Sequence, residues 1–197
     1  NKRSRYDEKY IEDLYEQFIA VEVDDSKIRK QLKEIIGNEK VFLVAPGNTL
    51  NIYKDKITKF VNNNNPFIIT ANFKCNYLDE NYVFCSNVKR FDKLIELVSE
   101  DKIILASHVQ NMVSSNCNTV NTNSLAWFGD VFWDNNMLML INLIRCLGIM
   151  ECFVVGWDGF SKGQNFISDE MESMYQYEEE NQKVISILKN QLSDINI

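Results

Sequence analysis

The sequence predicts an α/β protein: a three-layer α/β/α domain on a mainly parallel sheet. Three observations lead there. Five short apolar runs stand out: Val41-Phe42-Leu43-Val44, Phe67-Ile68-Ile69, Tyr82-Val83-Phe84-Cys85, Lys102-Ile103-Ile104-Leu105 and Cys152-Phe153-Val154-Val155. Continuous rather than alternating apolar runs mark strands covered on both faces. Stretches with apolar residues at helical spacing separate most of these runs, the βα alternation of a parallel sheet. Each run also ends in small or polar residues: Ala45-Pro46-Gly47-Asn48-Thr49, Thr70-Ala71-Asn72-Phe73, Ser86-Asn87, Ala106-Ser107-His108 and Gly156-Trp157-Asp158-Gly159. Open sheets bind ligands just beyond the carboxyl ends of their strands, so these clusters are expected to line one polar crevice.

The elements follow in order. Tyr10, Leu14 and Phe18, with Ile11, Tyr15 and Ile19, recur at helical spacing and predict an amphipathic first helix. Asp24-Asp25-Ser26 supplies an acidic cap region for a second helix carrying Ile28, Leu32, Ile35 and Ile36, and Gly37-Asn38 ends it. Residues 1–38 are therefore expected to form a helical linker or docking segment, and residues 39–197 the α/β domain. Leu50, Tyr53, Ile57, Phe60 and Val61 predict the helix after the first strand. Asn62 to Asn65, followed by Pro66, reads as a loop without packing potential. Phe91, Leu94, Ile95 and Val98 predict the helix after the third strand. Residues 110–123 are rich in Asn, Ser and Thr, and a loop over the crevice is expected there. Residues 137–147 form a strongly apolar helix stopped at Gly148. A last helix spans about residues 169–192, with Met171, Met174, Val184, Ile185, Leu188 and Leu192 on its apolar side. Strand order is left open.

Composition narrows the function. A chain of 197 residues suits one domain large enough to bury a core unaided. Its 21 basic and 28 acidic residues give a net charge of −7, which argues against a nucleic-acid binder tracking phosphates. No apolar run reaches the length of a membrane span, and Asn1-Lys2-Arg3-Ser4-Arg5 is followed by acidic helical sequence rather than a signal peptide's apolar core. A start at Asn1 rather than Met is expected of a fragment or processed product. Five cysteines without a CxxC pair argue for a reducing, cytoplasmic compartment and offer no zinc site, and one histidine cannot supply one. No metal ligand is assigned.

The candidate site residues come from the strand ends. Gly47 lets the backbone approach a ligand, and Asn48 and Thr49 open a helix whose amides attract an anion. The same residues also suit a tight turn with Asn48 or Thr49 as its cap. Asn72, Ser86, Asn87 and Asn123 offer groups suited to sugar hydroxyls or base edges, and Arg90 suits a phosphate or carboxylate. Turn chemistry and a solvated helix start explain the same positions. Gly156 followed by Asp158 places a carboxylate at a strand end, for a ribose hydroxyl, a metal or a proton, although Asp158-Gly159 is also a turn signal. His108, the only histidine, is the candidate general base together with Asp158.

The ordered set of motifs from Phe42-Leu43-Val44-Ala45-Pro46-Gly47-Asn48-Thr49-Leu50 through Asn72-Phe73 and Tyr82-Val83-Phe84-Cys85-Ser86-Asn87-Val88-Lys89-Arg90 to Val155-Gly156-Trp157-Asp158-Gly159-Phe160 resembles a bacterial accessory domain. That domain lies C-terminal to an aldolase-like barrel of the 4-hydroxy-2-oxovalerate aldolase and HMG-CoA lyase type, often in surface-polysaccharide gene clusters. The resemblance spans about residues 6–160 and implies a fused or docked barrel as partner; aldolase activity would belong to that barrel. More remotely, the layout is similar to the Rossmann-like folds of bacterial sialyltransferases and of archaeal-type 6-hydroxymethylpterin diphosphokinases. The sialyltransferase likeness implies a nucleotide sugar held at Gly47, Asn48, Asn72 and Asn87, as substrate rather than cofactor, with no divalent metal established. Those transferases carry a histidine downstream of their Gly-x-Asp motif, and no histidine follows Asp158 here. Three expectations result: a nucleotide- or nucleotide-sugar-binding domain of glycosyltransferase-like type, a non-catalytic accessory domain of the aldolase-type enzyme, or, third, a pterin diphosphokinase-like enzyme that requires ATP and a metal.

Overall fold

A computed structural model describes residues 22–111, 113, 115–127, 135–161, 165–168 and 178–197. The helix expected around Tyr10 to Ile19 and the first part of the last helix, Met171 and Met174 included, lie outside the described residues. The rest forms a Rossmann-like three-layer domain. Its six strands are β1 (Val41–Val44), β2 (Phe67–Ala71), β3 (Tyr82–Cys85), β4 (Ile103–Ala106), β5 (Asn118–Val120) and β6 (Cys152–Val155). All neighbouring pairs are parallel, in the order β5-β4-β3-β2-β1-β6. The chain steps one way from β1 to β5, then returns across the sheet to place β6 on the other side of β1.

That order explains where the helices lie. Right-handed crossovers put every connection made in one direction on one face and the return connection on the other. On one face, Phe42, Val44 and Ile68 pack with Leu50 of α2 (Thr49–Ile52), Ile57 of α3 (Lys54–Asn64), and Phe73, Cys75 and Leu78 of an irregular β2–β3 crossover. Further along the same face, Val83, Cys85, Ile103 and Leu105 meet Phe91 and Leu94 of α4 (Val88–Leu94) and Val109 of α5 (Ser107–Gln110). On the opposite face, Val41, Leu43, Ile69, Phe84 and Ile104 pack against α1 (Ser26–Ile36), α6 (Asn136–Cys146) and α7 (Glu178–Asn190). The pleat sends alternate side chains to opposite faces, and both faces are covered, which is why the strands are apolar without alternation.

Local signals account for the helix ends. Gly37 (φ +56, ψ −122) and Gly148 (φ +79) lie just past α1 and α6, where a positive φ, which glycine adopts freely, turns the chain out of the helix. α6 buries Met137 to Ile141, Leu143 and Ile144, as its strongly apolar sequence requires.

Two expectations are corrected. Helix α3 continues through Asn62 to Asn64 and ends at Asn65, which takes the left-handed conformation (φ 43, ψ 55). Asn64 Nδ2 donates to the Phe60 carbonyl at 2.8 Å, and its Oδ1 accepts from Lys40 Nζ at 2.9 Å. A polar side chain that bonds its own helix and the strand entrance keeps the helix going where propensity would end it. The polar segment over 110–123 holds a further strand, β5, pairing Ile104–Asn118, Leu105–Thr119 and Ala106–Val120. Its register comes from the neighbouring strand rather than from its own apolar content. No helix among the described residues is long and apolar enough to cross a membrane.

Candidate functional site

Because the chain leaves β1 through α2 on one face and reaches β6 beside it through α6 on the other, the sheet's topological switch point lies between their carboxyl ends, the place where open α/β sheets hold ligands. The two glycine motifs meet there. Backbone pairing continues past the strands: Ala45 N–H donates to Val155 O at 2.9 Å and Gly47 N–H to Gly156 O at 2.7 Å. Gly156 is left-handed (φ +72), and a Cβ there would overlap the Ala45 carbonyl. A Cβ on Gly47 would overlap the Gly156 carbonyl and come within 2.6 Å of the Asp158 carboxylate. Only glycine at both positions lets the two turns close on each other.

Asp158 completes this contact. Its Oδ2 accepts from the Thr49 amide at 2.8 Å, and its Oδ1 accepts from the Thr49 hydroxyl. The carboxylate thus caps the first turn of α2 from across the sheet edge, where a negative charge is favoured. The Asn48 amide donates to Asn165 O at 3.2 Å, and Ile167 N donates to Pro46 O at 2.8 Å. Residues 165–167 therefore strap the turn after β1, with Gly47 and Phe166 in an antiparallel bridge. Asn165 is buried, and its Oδ1 accepts from Ser161 N at 2.8 Å. The amides of Gly47, Asn48 and Thr49 are all engaged within the chain.

A second polar group lies along the ends of β2 to β5. Asn72 is left-handed (φ 63) and accepts from Ser86 N at its Oδ1, 2.9 Å away, tying the ends of β2 and β3 together. Asn87 caps α4 and accepts from the amides of Lys89 at 3.1 Å and Arg90 at 3.3 Å. His108 is buried. Its Nε2 lies 3.0 Å from Ser86 O and its Nδ1 2.9 Å from Thr122 Oγ1. A carbonyl only accepts, so Nε2 carries a proton and donates to Ser86. Thr122 Oγ1 already accepts from the His108 amide at 3.2 Å and from Ser107 Oγ at 3.1 Å. The same hydroxyl faces Nδ1, so the ring is held at both of its nitrogens. Thr122 N donates back to Ser107 Oγ at 3.0 Å. Asn123 follows in the turn capped by Asn121, whose Oδ1 accepts the Asn123 amide at 3.1 Å.

The candidate residues thus occupy one sheet edge in two groups. Gly47, Asn48, Thr49, Gly156 and Asp158 meet across β1 and β6. Asn72, Ser86, His108 and Asn123, with Asn87 and Arg90 beside Ser86 at the head of α4, lie across β2 to β5. Sequence reasoning missed Thr122 as the centre of the histidine network and Asn165 as the partner of Asn48. A threonine in a polar run and an asparagine far along the chain carry no local sign of such partners. It also missed Tyr77, whose hydroxyl donates to Leu50 O at 2.9 Å and whose ring sits 5.1 Å from Lys54 Nζ. Burial pushes the Tyr77 phenol up to about 12 and, at the end of β3, the Cys85 thiol also up to about 12. Among the described residues, no group of three or more His, Cys, Asp or Glu side chains is placed to hold a metal. Comparisons with protein-family models, with curated proteins and with solved structures find no match for this chain.

Proposed function

We propose that this chain is a nucleotide- or nucleotide-sugar-binding domain of a polysaccharide-pathway protein, with its ligand at the switch point between the turns after β1 and β6. The observation that carries this reading is the convergence of Gly47-Asn48-Thr49 and Gly156-Trp157-Asp158 at that point, packed so closely that only glycine fits on either side. Ligand sites in open α/β sheets favour this position. In this reading Asn48 and Thr49 meet the phosphate, Asp158 the ribose, and Asn72 and Asn87 the sugar or base. Asp158 and Asn165 now hold the amides of Thr49 and Asn48, so an anion reaches those amides only by displacing them.

One observation favours a second reading, a non-catalytic accessory domain of an aldolase-type multidomain enzyme. Both carboxylate oxygens of Asp158 and both ring nitrogens of His108 are hydrogen-bonded within the chain. Neither group is set out as an open general base.

The test is a thermal-shift screen with CMP, UDP, GDP and ATP and their sugar conjugates, with and without magnesium. A ligand at a hundred times its dissociation constant stabilises by about 2.7 kcal/mol, a readable rise in melting temperature. The binding reading expects a selective rise that Asn48→Ala and Asp158→Ala abolish. A flat response to every nucleotide discards it in favour of the accessory domain.

A further inference from the structure

Two asparagine side chains grip adjacent residues of the stretch that follows β6, and each grips both sides of its residue's backbone. Asn181, near the start of α7, accepts from Phe160 N at 2.9 Å and donates to Phe160 O at 2.8 Å. Asn165 accepts from Ser161 N at 2.8 Å and donates to Ser161 O at 3.1 Å. A side-chain amide offers both a donor and an acceptor, so each asparagine stands in for a neighbouring strand. Gly159 (φ +72) makes room for the first grip, since a Cβ there would come within 2.7 Å of Asn181 Oδ1. The gripped residues are in turn tied to the turn after β1. Two residues before Phe160, Asp158 holds the Thr49 amide, while the Asn165 carbonyl holds the Asn48 amide and Ile167 N donates to Pro46 O. Phe160 and Phe166 are half-buried and meet edge-on, with ring centroids 6.3 Å apart.

We propose that Asn181 and Asn165 form a latch that holds residues 158–161 and 165–167 closed over the turn after β1 as one unit. That unit opens while the sheet stays folded, and its opening sets how often the amides of Asn48 and Thr49 come free. The contacts that secure it are hydrogen bonds at half-buried or exposed positions. Segments held in this way open at lower free energy than core strands. The sheet beneath is of the other kind: Val41, Leu43 and Val44 of β1 are fully buried. Through the latch, α7 acts on the switch point across the stretch it grips. A ligand that takes the Asn48 and Thr49 amides binds only the open form, so its apparent affinity scales with the open population. That consequence rests on the reading of the switch point as a ligand site. The latch opens with or without a ligand, so the two readings fail separately.

Hydrogen exchange followed by NMR on the full chain, with no nucleotide added, tests it. In the parent, the amides of Asn48, Thr49, Phe160 and Ile167 exchange through one shared opening that depends little on urea, whereas the β1 amides need an opening with the steep urea dependence of global unfolding. Asn181→Ala removes both bonds to Phe160, yet it speeds Asn48 and Thr49, which Asn181 does not touch, by about the same tenfold as Phe160. Asn165→Ala reciprocates, speeding Thr49 and Phe160 together. Acceleration confined to Phe160 in Asn181→Ala overturns the proposal, because the grip of α7 then fails to reach the turn after β1. If neither variant folds, the parent decides. Asn48 and Thr49 amides that share the urea dependence of β1 overturn the separate opening, and a shallow dependence common to all four supports it.

Discussion

Gly47 and Gly156 settle how close two loops come. At Gly156 two effects act together: a left-handed backbone, which costs an L-residue about 1–2 kcal/mol, and a Cβ position occupied by the Ala45 carbonyl. Gly37 (φ +56, ψ −122) has a positive-φ cost without the second effect, since the nearest neighbour of a Cβ there would be Glu34 O at 3.9 Å. Gly37→Ala is therefore expected to cost about 1–3 kcal/mol in urea unfolding, and Gly156→Ala clearly more, because backbone cannot move aside as a flexible side chain can. Equal losses at the two sites would mean that the close approach of the turns contributes nothing. Asp158 and His108 teach a related lesson at this scale. A carboxylate after a glycine at a strand end and a lone histidine after a strand both read as candidates for chemistry. In the structure Asp158 holds Thr49, and His108 joins Ser86 to Thr122. Those partners lie 14 to 109 residues away, beyond the reach of any spacing rule.

Among the elements, the α3–β2 junction and β5 depart from what local propensity suggests. Asn65 closes α3 in the left-handed region immediately before Pro66, a conformation that asparagine tolerates, glycine adopts freely and alanine resists. Asn65→Ala is expected to lower stability by about 1 kcal/mol, and Asn65→Gly to leave it within about 0.5 kcal/mol of the parent. Thermal unfolding of the pair checks this, and an alanine variant as stable as the glycine one would remove the left-handed cap from the account. β5 exists because β4 offers it a ladder and Asp25 Oδ2 accepts the Asn121 amide at 2.8 Å, while Arg29 bonds the same carboxylate at 2.8 Å. Helix α1 is thereby fastened over the end of β5. The apolar helix α6 and the strands β1 to β4 and β6 were legible in advance because their apolar runs leave a compositional mark, even at β6, an edge strand whose Phe153, Val154 and Val155 are half-buried, whereas a three-residue edge strand made of Asn, Thr and Val leaves almost none.

For the whole molecule, burial of weak acids sets the alkaline limit. Burial drives the Cys85 thiol and the Tyr77 phenol up to about 12, and the Cys152 thiol up to about 11, from ordinary values of 9.0 for the thiols and 10.0 for the phenol. In the unfolded chain these groups ionise at the ordinary values, so above them the unfolded state binds fewer protons than the folded one. Stability then falls as pH rises. The contribution is complete below pH 9 and is lost between about pH 9 and 12. Unfolding free energy is expected to stay level from pH 7 to about 8.5 and then to drop by a few kcal/mol by pH 11. Cys85→Ser and Cys152→Ala each shallow that slope, and a curve that stays flat to pH 11 would show that the thiols are not held in their neutral form by burial.

The sequence by itself determined the fold class, because strands covered on both faces must be apolar throughout and helices covered on one face must be apolar at their own period. It also marked most of the residues gathered at the carboxyl edge of the sheet, since turns at strand ends draw on Gly, Asn, Asp and Ser. Only the tertiary structure decided which of those turns meet. The order β5-β4-β3-β2-β1-β6 brings Gly47 to Gly156 and Thr49 to Asp158 across more than a hundred residues. Strand order reflects a competition among whole-sheet packings of nearly equal local energy, which leaves no trace in the spacing of residues along the chain.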